Sequence, residues 1–226
     1  MHILIVTTSC DALDASHPTG LWLEEFAVPY KAFRKAGFDV TVASPKGGAV
    51  PLDPKTRPSE SEQKKWADAL AALAASQRLA DLKDRDFDAI YLPGGHGPMI
   101  DLANDATLHA LVARHDAHEK VIGAVCHGPA ALAKAVRADG QPFFKGRRVT
   151  AFTNTEEKLA GLASVVPFLL QDAMAAAGAN FRSALVPFFS HIERDGHLIT
   201  GQNPNSSAAI GKAMIEALQM TAGAAG

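Results

Sequence analysis

Cysteine is scarce in this chain: 226 residues hold two, Cys10 and Cys126. Two thiols in a domain of this length form neither a disulfide framework nor a zinc-type spacing, so a hydrophobic core must hold the fold. Clustered positive charge is absent too. The formal net charge is −2, with lysine and arginine scattered along the chain, which argues against nucleic acid as the main partner. There is no long hydrophobic run: the stretch from Leu159 to Leu170 falls well short of the roughly 18 residues that a membrane span requires. Met1-His2-Ile3-Leu4-Ile5-Val6 carries no basic leader and no small-residue cleavage site, and reads as a first strand rather than a signal peptide. The expectation is a cytoplasmic protein in a reducing compartment, with no membrane and no nucleic-acid partner. In that setting a cysteine is either a small buried hydrophobe or a reactive group, and its neighbours decide which.

What the chain does contain is an ordinary globular balance, 47% hydrophobic and 20% charged, enough for a single domain over residues 1–226. Short β-rich runs alternate with longer helical ones. Ile3 to Thr7, Phe38 to Val42, Ala89 to Leu92 and Val121 to Val125 read as strands, with later ones at 148–152, 182–186 and 197–200. Trp22, Phe26, Tyr30 and Phe33 recur at helical spacing. Ser59-x-x-Glu62 has the form of a capping box opening a helix through about Ala75. Further helices are expected at 105–119, 128–136, 165–177 and 205–219, and a frayed tail at 221–226. Residues 44–58 hold four prolines and two glycines, which exclude regular structure there. The 44–66 segment is expected as a long loop beside the active site. The alternation implies a mostly parallel sheet with helices on both faces, with any ligand at the carboxyl ends of the strands.

Several chemically suggestive residues fall just after strands. Ala124-x-Cys126-x-Gly128 fits a nucleophile elbow, where a sharp turn between strand and helix needs small flanking residues and exposes the sulfur. The following helix N-terminus is expected to favour thiolate. A buried structural thiol is the alternative. Pro93-Gly94-Gly95-His96-Gly97 can present backbone amides to an oxyanion, though Pro-Gly-Gly also makes a plain turn. Glu24 and Glu25 open the first helix. The macrodipole accounts for Glu24, and Glu25 is a candidate proton shuttle beside the thiol. In Thr153-Asn154-Thr155-Glu156-Glu157, Asn154 or Thr155 is read as an N-cap, or a glutamate orients His127. His109, His115 and His118 read as solvated and form no metal set. His17, in the 8–19 loop, is a candidate substrate contact. Cys10, beyond the first strand, is a candidate redox partner of Cys126.

Together with Ala43-Ser-Pro-Lys-Gly-Gly and Thr200-Gly-Gln-Asn-Pro, the segments Thr19-Gly-Leu-Trp-Leu-Glu-Glu, Leu92-Pro-Gly-Gly-His-Gly and Ala124-Val-Cys-His-Gly-Pro resemble the ThiJ/PfpI family, within the class I glutamine amidotransferase-like superfamily, over nearly the whole chain. The most similar branch holds the glutathione-independent glyoxalases (glyoxalase III), also described as chaperones and protein deglycases. The resemblance implies a flavodoxin-like three-layer sandwich and a homodimer. It implies that Cys126 and His127 at the elbow work with an acid after the next strand, Glu157 by its distance from the strand and Glu156 as the fallback. Glu25 matches the elbow-facing glutamate, and Gly95 and His96 the glycine-rich amides. The implied activity converts methylglyoxal and related 2-oxoaldehydes into 2-hydroxy acids through a Cys126 hemithioacetal. It is that of a glyoxalase III-like hydro-lyase (D-lactate dehydratase type), with a small aldehyde substrate, no cofactor and no metal. True glutamine amidotransferases carry a late catalytic His-x-Glu; here the region reads Gly201-Gln-Asn-Pro-Asn-Ser-Ser, which puts glutamine hydrolysis in doubt. The alternatives are a PfpI-type cysteine peptidase or amidase, and a non-catalytic stress chaperone or redox sensor reading Cys126.

Overall fold

A computed structural model describes residues 1–224. In chain order its elements are β1 His2–Val6, β2 Ala12–Asp14, β3 His17–Pro18, α1 Leu23–Lys35, β4 Asp39–Ser44, α2 Glu60–Lys65, α3 Ala67–Ala74, β5 Gln77–Arg78, β6 Ala89–Leu92, α4 Ala106–Ala117, β7 Val121–Val125, β8 Arg148–Val149, α5 Asn154–Leu159, α6 Leu170–Ala176, β9 Asn180–Phe181, β10 Ile192–Asp195, β11 Leu198–Gly201 and α7 Ser207–Ala224. The main sheet runs β10-β11-β7-β6-β1-β4-β5, parallel except for β10.

The near-continuous apolar strands are those of a sheet covered on both faces. Along β1, Ile3 and Ile5 join the core beneath α1, α3 and α7, with Phe26, Phe33, Leu73 and Met214. Leu4 and Val6 join the opposite core under α4 and α6, with Leu111, Phe143, Phe144 and Met174. This is the three-layer flavodoxin-like arrangement expected. The chain leaves β1 for β4 on one side and returns to β6 on the other. That reversal opens a crevice at the carboxyl ends of β1 and β6, where ligands bind in such sheets. No helix among the described residues is long and apolar enough to cross a membrane.

The structure corrects several expected elements. Residues 128–136 do not form an α-helix; a five-residue 3₁₀ turn, Gly128–Leu132, follows the elbow. Residues 182–186 are not a strand. The chain leaves β9 at Phe181 and runs out over the surface, with Leu185 fully exposed and Phe188 at φ 63°. The 148–152 strand shortens to β8, paired with β9 in a separate small sheet. The 60–75 helix divides at Trp66, and the 165–177 helix begins at Leu170. The hairpin β2–β3 and the strand β10 are additional, β10 pairing antiparallel with β11, the strand expected at 197–200. The tail expected to fray from 221 continues α7 through Ala224, and 225–226 lie outside the described residues. His115 is buried, and His109 half-buried with its ring against the Ala131 carbonyl, because α4 lies on the sheet; only His118 is exposed.

Candidate active site

Cys126 ends β7 at φ 58°, in the left-handed region that a side chain rarely enters. Such a backbone costs about 1–3 kcal/mol and persists only where its surroundings hold it. Here the Cys126 N–H donates to the Gly201 carbonyl at 2.9 Å, and the Phe152 N–H donates to the Cys126 carbonyl at 3.0 Å. A side chain at Gly128 would collide with the Leu92 carbonyl oxygen. The spacing of small residues around the cysteine therefore has a packing cause: β6 and the elbow touch through backbone.

Cys126 is 3% exposed. Burial and the adjacent Glu25 push its thiol up, against the N–H groups of Gly95 and His127, which hydrogen-bond the sulfur and favour thiolate. This direction is opposite to the lowering expected from a helix N-terminus, since the short 3₁₀ turn carries little dipole and burial of the sulfur penalises its charge. The thiol needs a base, and His127 Nδ1 lies 3.3 Å from Sγ.

His127 Nε2–H donates to Glu157 Oε2 at 2.7 Å, and His96 Nε2–H donates to Glu157 Oε1 at 2.9 Å. Burial would raise the Glu157 carboxyl, but these two bonds outweigh it and bring it down to about 2. An ionised Glu157 fixes both imidazoles with hydrogen on Nε2 and a lone pair on Nδ1. Burial, then the neighbouring His96, pushes His127 down to about 4 against the pull of Glu157, so its Nδ1 is free to take a proton at neutral pH. The two rings lie 4.0 Å apart, and Phe152 packs on His127 at 4.6 Å. His96, His127 and Glu157 bring donor atoms within 4.8 Å of one another, a grouping of the kind that holds metals. Here each carboxylate oxygen is met directly by an imidazole N–H.

Of the two glutamates left open by the sequence, Glu157 meets His127 and Glu156 does not. Glu156 closes the capping box with Thr153, and its Oε1 accepts from the Phe188 N–H and from Gln202 and Asn203. It ties α5 to the loops around it. The N-cap is Thr153, not the Asn154 or Thr155 expected.

Glu25 approaches from α1 and is fully buried. The Gly94 N–H donates to its Oε2 at 2.7 Å, while Oε1 has no hydrogen-bond partner among the described residues. Burial pushes it up to about 8, with Cys126 and Gly94 acting in the opposite direction. At neutral pH it is a carboxylic acid beside the sulfur.

A cavity of about 330 Å³ is lined by Gly95, His96, Cys126 and His127 among others, while Glu25 and Glu157 are not among its lining residues. The 44–66 segment does reach the site: the Asp53 N–H donates to the Leu21 carbonyl, and Lys55 lines the cavity. Glu24, explained by the macrodipole alone in the sequence, also lines it. So do Trp22, Phe152, Phe188 and Asn205, which the sequence did not single out. Trp22 and Asn205 stood inside runs quoted from the sequence, but neither was read there as a site residue. His17 turns instead to Asp14, its Nδ1 2.8 Å from Oδ1 at the exposed hairpin, and is not among the cavity residues. Cys10 donates its S–H to the Ala12 carbonyl, and burial raises its thiol. His96 was expected to serve through its amide; its ring is what joins the network.

The chain matches the DJ-1/PfpI family over residues 19–217. It is 29% identical over 215 residues, covering 88% of this chain and 89% of the relative, to a glutathione-independent glyoxalase of Schizosaccharomyces pombe. It is 30% identical over 209 residues, covering 86% and 71%, to the protein/nucleic acid deglycase HchA of Pseudomonas aeruginosa. The crystal structure of glyoxalase III from Candida albicans superposes with a TM-score of 0.88 at 25% identity, covering 96% of this chain and 97% of that one. With the elbow, the glycine-rich turn and the fold in agreement, this chain belongs to the DJ-1/PfpI family.

Proposed function

We propose that the protein is a glutathione-independent glyoxalase of the glyoxalase III type, a lactate-forming hydro-lyase (D-lactate dehydratase type) acting on methylglyoxal and similar 2-oxoaldehydes. The observation that carries this reading is the pairing of two opposed groups at one sulfur: the neutral base His127 Nδ1 at 3.3 Å and the protonated acid Glu25. An internal redox isomerisation needs a base to lift a proton from carbon and an acid to quench the oxygen.

The Cys126 sulfur adds to the aldehyde carbon C1, and its proton passes through His127 to the new oxygen, giving a hemithioacetal. His127 Nδ1 then removes the C1 proton while Glu25 protonates the C2 oxygen, forming an enediol. His127 returns a proton to C2, and Glu25 recovers one from the C1 hydroxyl as it becomes a carbonyl. C1 is oxidised, C2 is reduced, and Cys126 carries the thioester of a 2-hydroxy acid, which water releases. The amides of Gly95 and His127 steady the sulfur, and Glu157 supports the imidazolium.

A nucleophile 3% exposed at the base of a cavity of about 330 Å³ suits a three-carbon aldehyde better than a peptide backbone, which argues against the peptidase reading. Glycated amines, whose carbonyl fragment is equally small, fit the same thiol chemistry and extend the proposal to deglycation. The test is incubation with methylglyoxal, without glutathione or added metal, followed by lactate assay. Lactate from the wild type and none from Cys126→Ala is the expected result; no lactate from folded wild type overturns the proposal.

A further inference from the structure

Hydrolysis of the Cys126 thioester requires a base for water, and the two imidazoles are placed differently with respect to it. His127 is 1% exposed and aims Nδ1 at the sulfur. His96 is 7% exposed, lines the cavity, and commits Nε2–H to Glu157 Oε1. Its Nδ1 therefore carries a lone pair, and it has no hydrogen-bond partner among the described residues. The two rings lie 4.0 Å apart, and both line the cavity together with Cys126. The neighbouring His96 is one of the causes that lower His127, after burial. Isomerisation and hydrolysis then use the rings in turn, with Glu157 as the shared counter-ion.

We propose that His96 is the general base that activates water for release of the 2-hydroxy acid from Cys126, an assignment that rests on the thioester route above. Nδ1 takes one proton from water as the oxygen adds to the thioester carbon. The carbon–sulfur bond breaks, the acid leaves with the water hydroxyl, and the proton on His96 returns to the sulfur. No oxidation state changes in this step.

The experiment is rapid-mixing kinetics with methylglyoxal on wild type and His96→Gln. Glutamine keeps an amide N–H for Glu157 and removes the basic nitrogen. The variant is expected to consume one equivalent of aldehyde per site in a burst and then release lactate about 100-fold or more slowly. The trapped adduct should yield lactohydroxamic acid with hydroxylamine, whereas a hemithioacetal returns methylglyoxal. Hydroxylamine, a nucleophile that needs no base, added after the burst and removal of free aldehyde should cleave the thioester and return free Cys126 for a second burst, which a merely structural role for His96 would not allow. Unchanged lactate release, or slow aldehyde consumption with no thioester, overturns the assignment. Should the Gln variant fail to fold, His96→Asn is held to the same readouts. Wild type that consumes no methylglyoxal overturns instead the glyoxalase reading, so the two failures are distinct.

Discussion

The Tyr91 hydroxyl donates a hydrogen bond of 2.7 Å to the backbone carbonyl of Glu25. The bond answers a gap left by Pro29, which stands four residues on in α1 and has no N–H for that carbonyl. Both Tyr91 and Glu25 are fully buried, so the carbonyl has no access to solvent. β6 thus holds the helical turn that carries the acid. Tyr91→Phe should cost about 1–3 kcal/mol by orphaning a buried acceptor. Denaturant melts would read that loss, and kcat/KM should fall with it as Glu25 loosens. A Phe variant as stable and active as wild type would contradict this account.

The two adjacent glutamates should fail in different ways. Glu157→Gln removes the charge that fixes the His127 tautomer, and kcat should drop by about 10²–10⁴ with little change in Tm. Glu156→Gln leaves His127 paired but disturbs a carboxylate that holds Thr153, Phe188, Gln202 and Asn203. That variant should lose about 2 kcal/mol or more of stability and keep most of its kcat per folded molecule. Melting curves and kinetics on the pair would show whether these roles are reversed.

The rate should follow a bell in pH. Below about 4, His127 is protonated and no longer a base; above about 8, Glu25 is ionised, donates no proton and sets a negative charge beside the sulfur. Stability carries a matching signature. Burial raises Glu25 in the fold from 4.5 to about 8, so the folded protein holds a proton that the unfolded chain releases. Stability from this group therefore falls as pH rises from about 4.5 to about 8. His127 is lowered from 6.5 to about 4, and its contribution is lost as pH falls through that window. Glu25→Gln should erase the alkaline limb, slow the reaction, and stabilise the fold by up to about 3 kcal/mol at pH 7. A kcat/KM profile of Glu25→Gln that keeps the wild-type alkaline limb would assign that limb to another group.

Enediol formation predicts solvent hydrogen at C2. In heavy water, His127 Nδ1 exchanges the proton it has lifted from C1 and returns deuterium, so lactate should carry deuterium at C2. Proton magnetic resonance of the product measures it. Lactate without label would point to a direct hydride shift and remove His127 from the carbon chemistry.

The elbow was legible because its signal is local: an apolar strand, then a cysteine between small residues, read along one stretch of chain. The choice between Glu156 and Glu157 was not, since neighbours on a helix point about 100° apart and only packing decides which faces His127. The sheet was legible where strands are apolar on both faces, as in β1 and β7. It was not at β10, whose Ile-Glu-Arg-Asp run is a polar edge without that pattern. The run at 182–186, Arg-Ser-Ala-Leu-Val, misled for a different reason. It ends in Ala-Leu-Val but joins no strand, and after Pro187 the left-handed Phe188 reaches the cavity. His96 was found as part of a glycine-rich turn, yet its ring acquires a partner only when α5 arrives from sixty-one residues away.

Gly95 lies where two demands meet. Its φ is +85°, and a Cβ there would fall on the Gly20 carbonyl oxygen and against the Trp22 nitrogen, both backbone. Neither can move without shifting the entrance to α1, which carries Glu25. Its N–H is also one of the two that hydrogen-bond the Cys126 sulfur. Gly95→Ala should therefore cost about 2–4 kcal/mol through strain and clash and reduce kcat by about 10²-fold through the displaced amide. Gly140 is the control: its φ is +77°, but a Cβ there meets nothing within 4 Å. Gly140→Ala should cost only about 1 kcal/mol and leave kcat unchanged. Thermal melts and kcat for the two variants separate the price of a left-handed backbone from the loss of the amide at the sulfur, and equal kcat losses in both would refute the role given to Gly95.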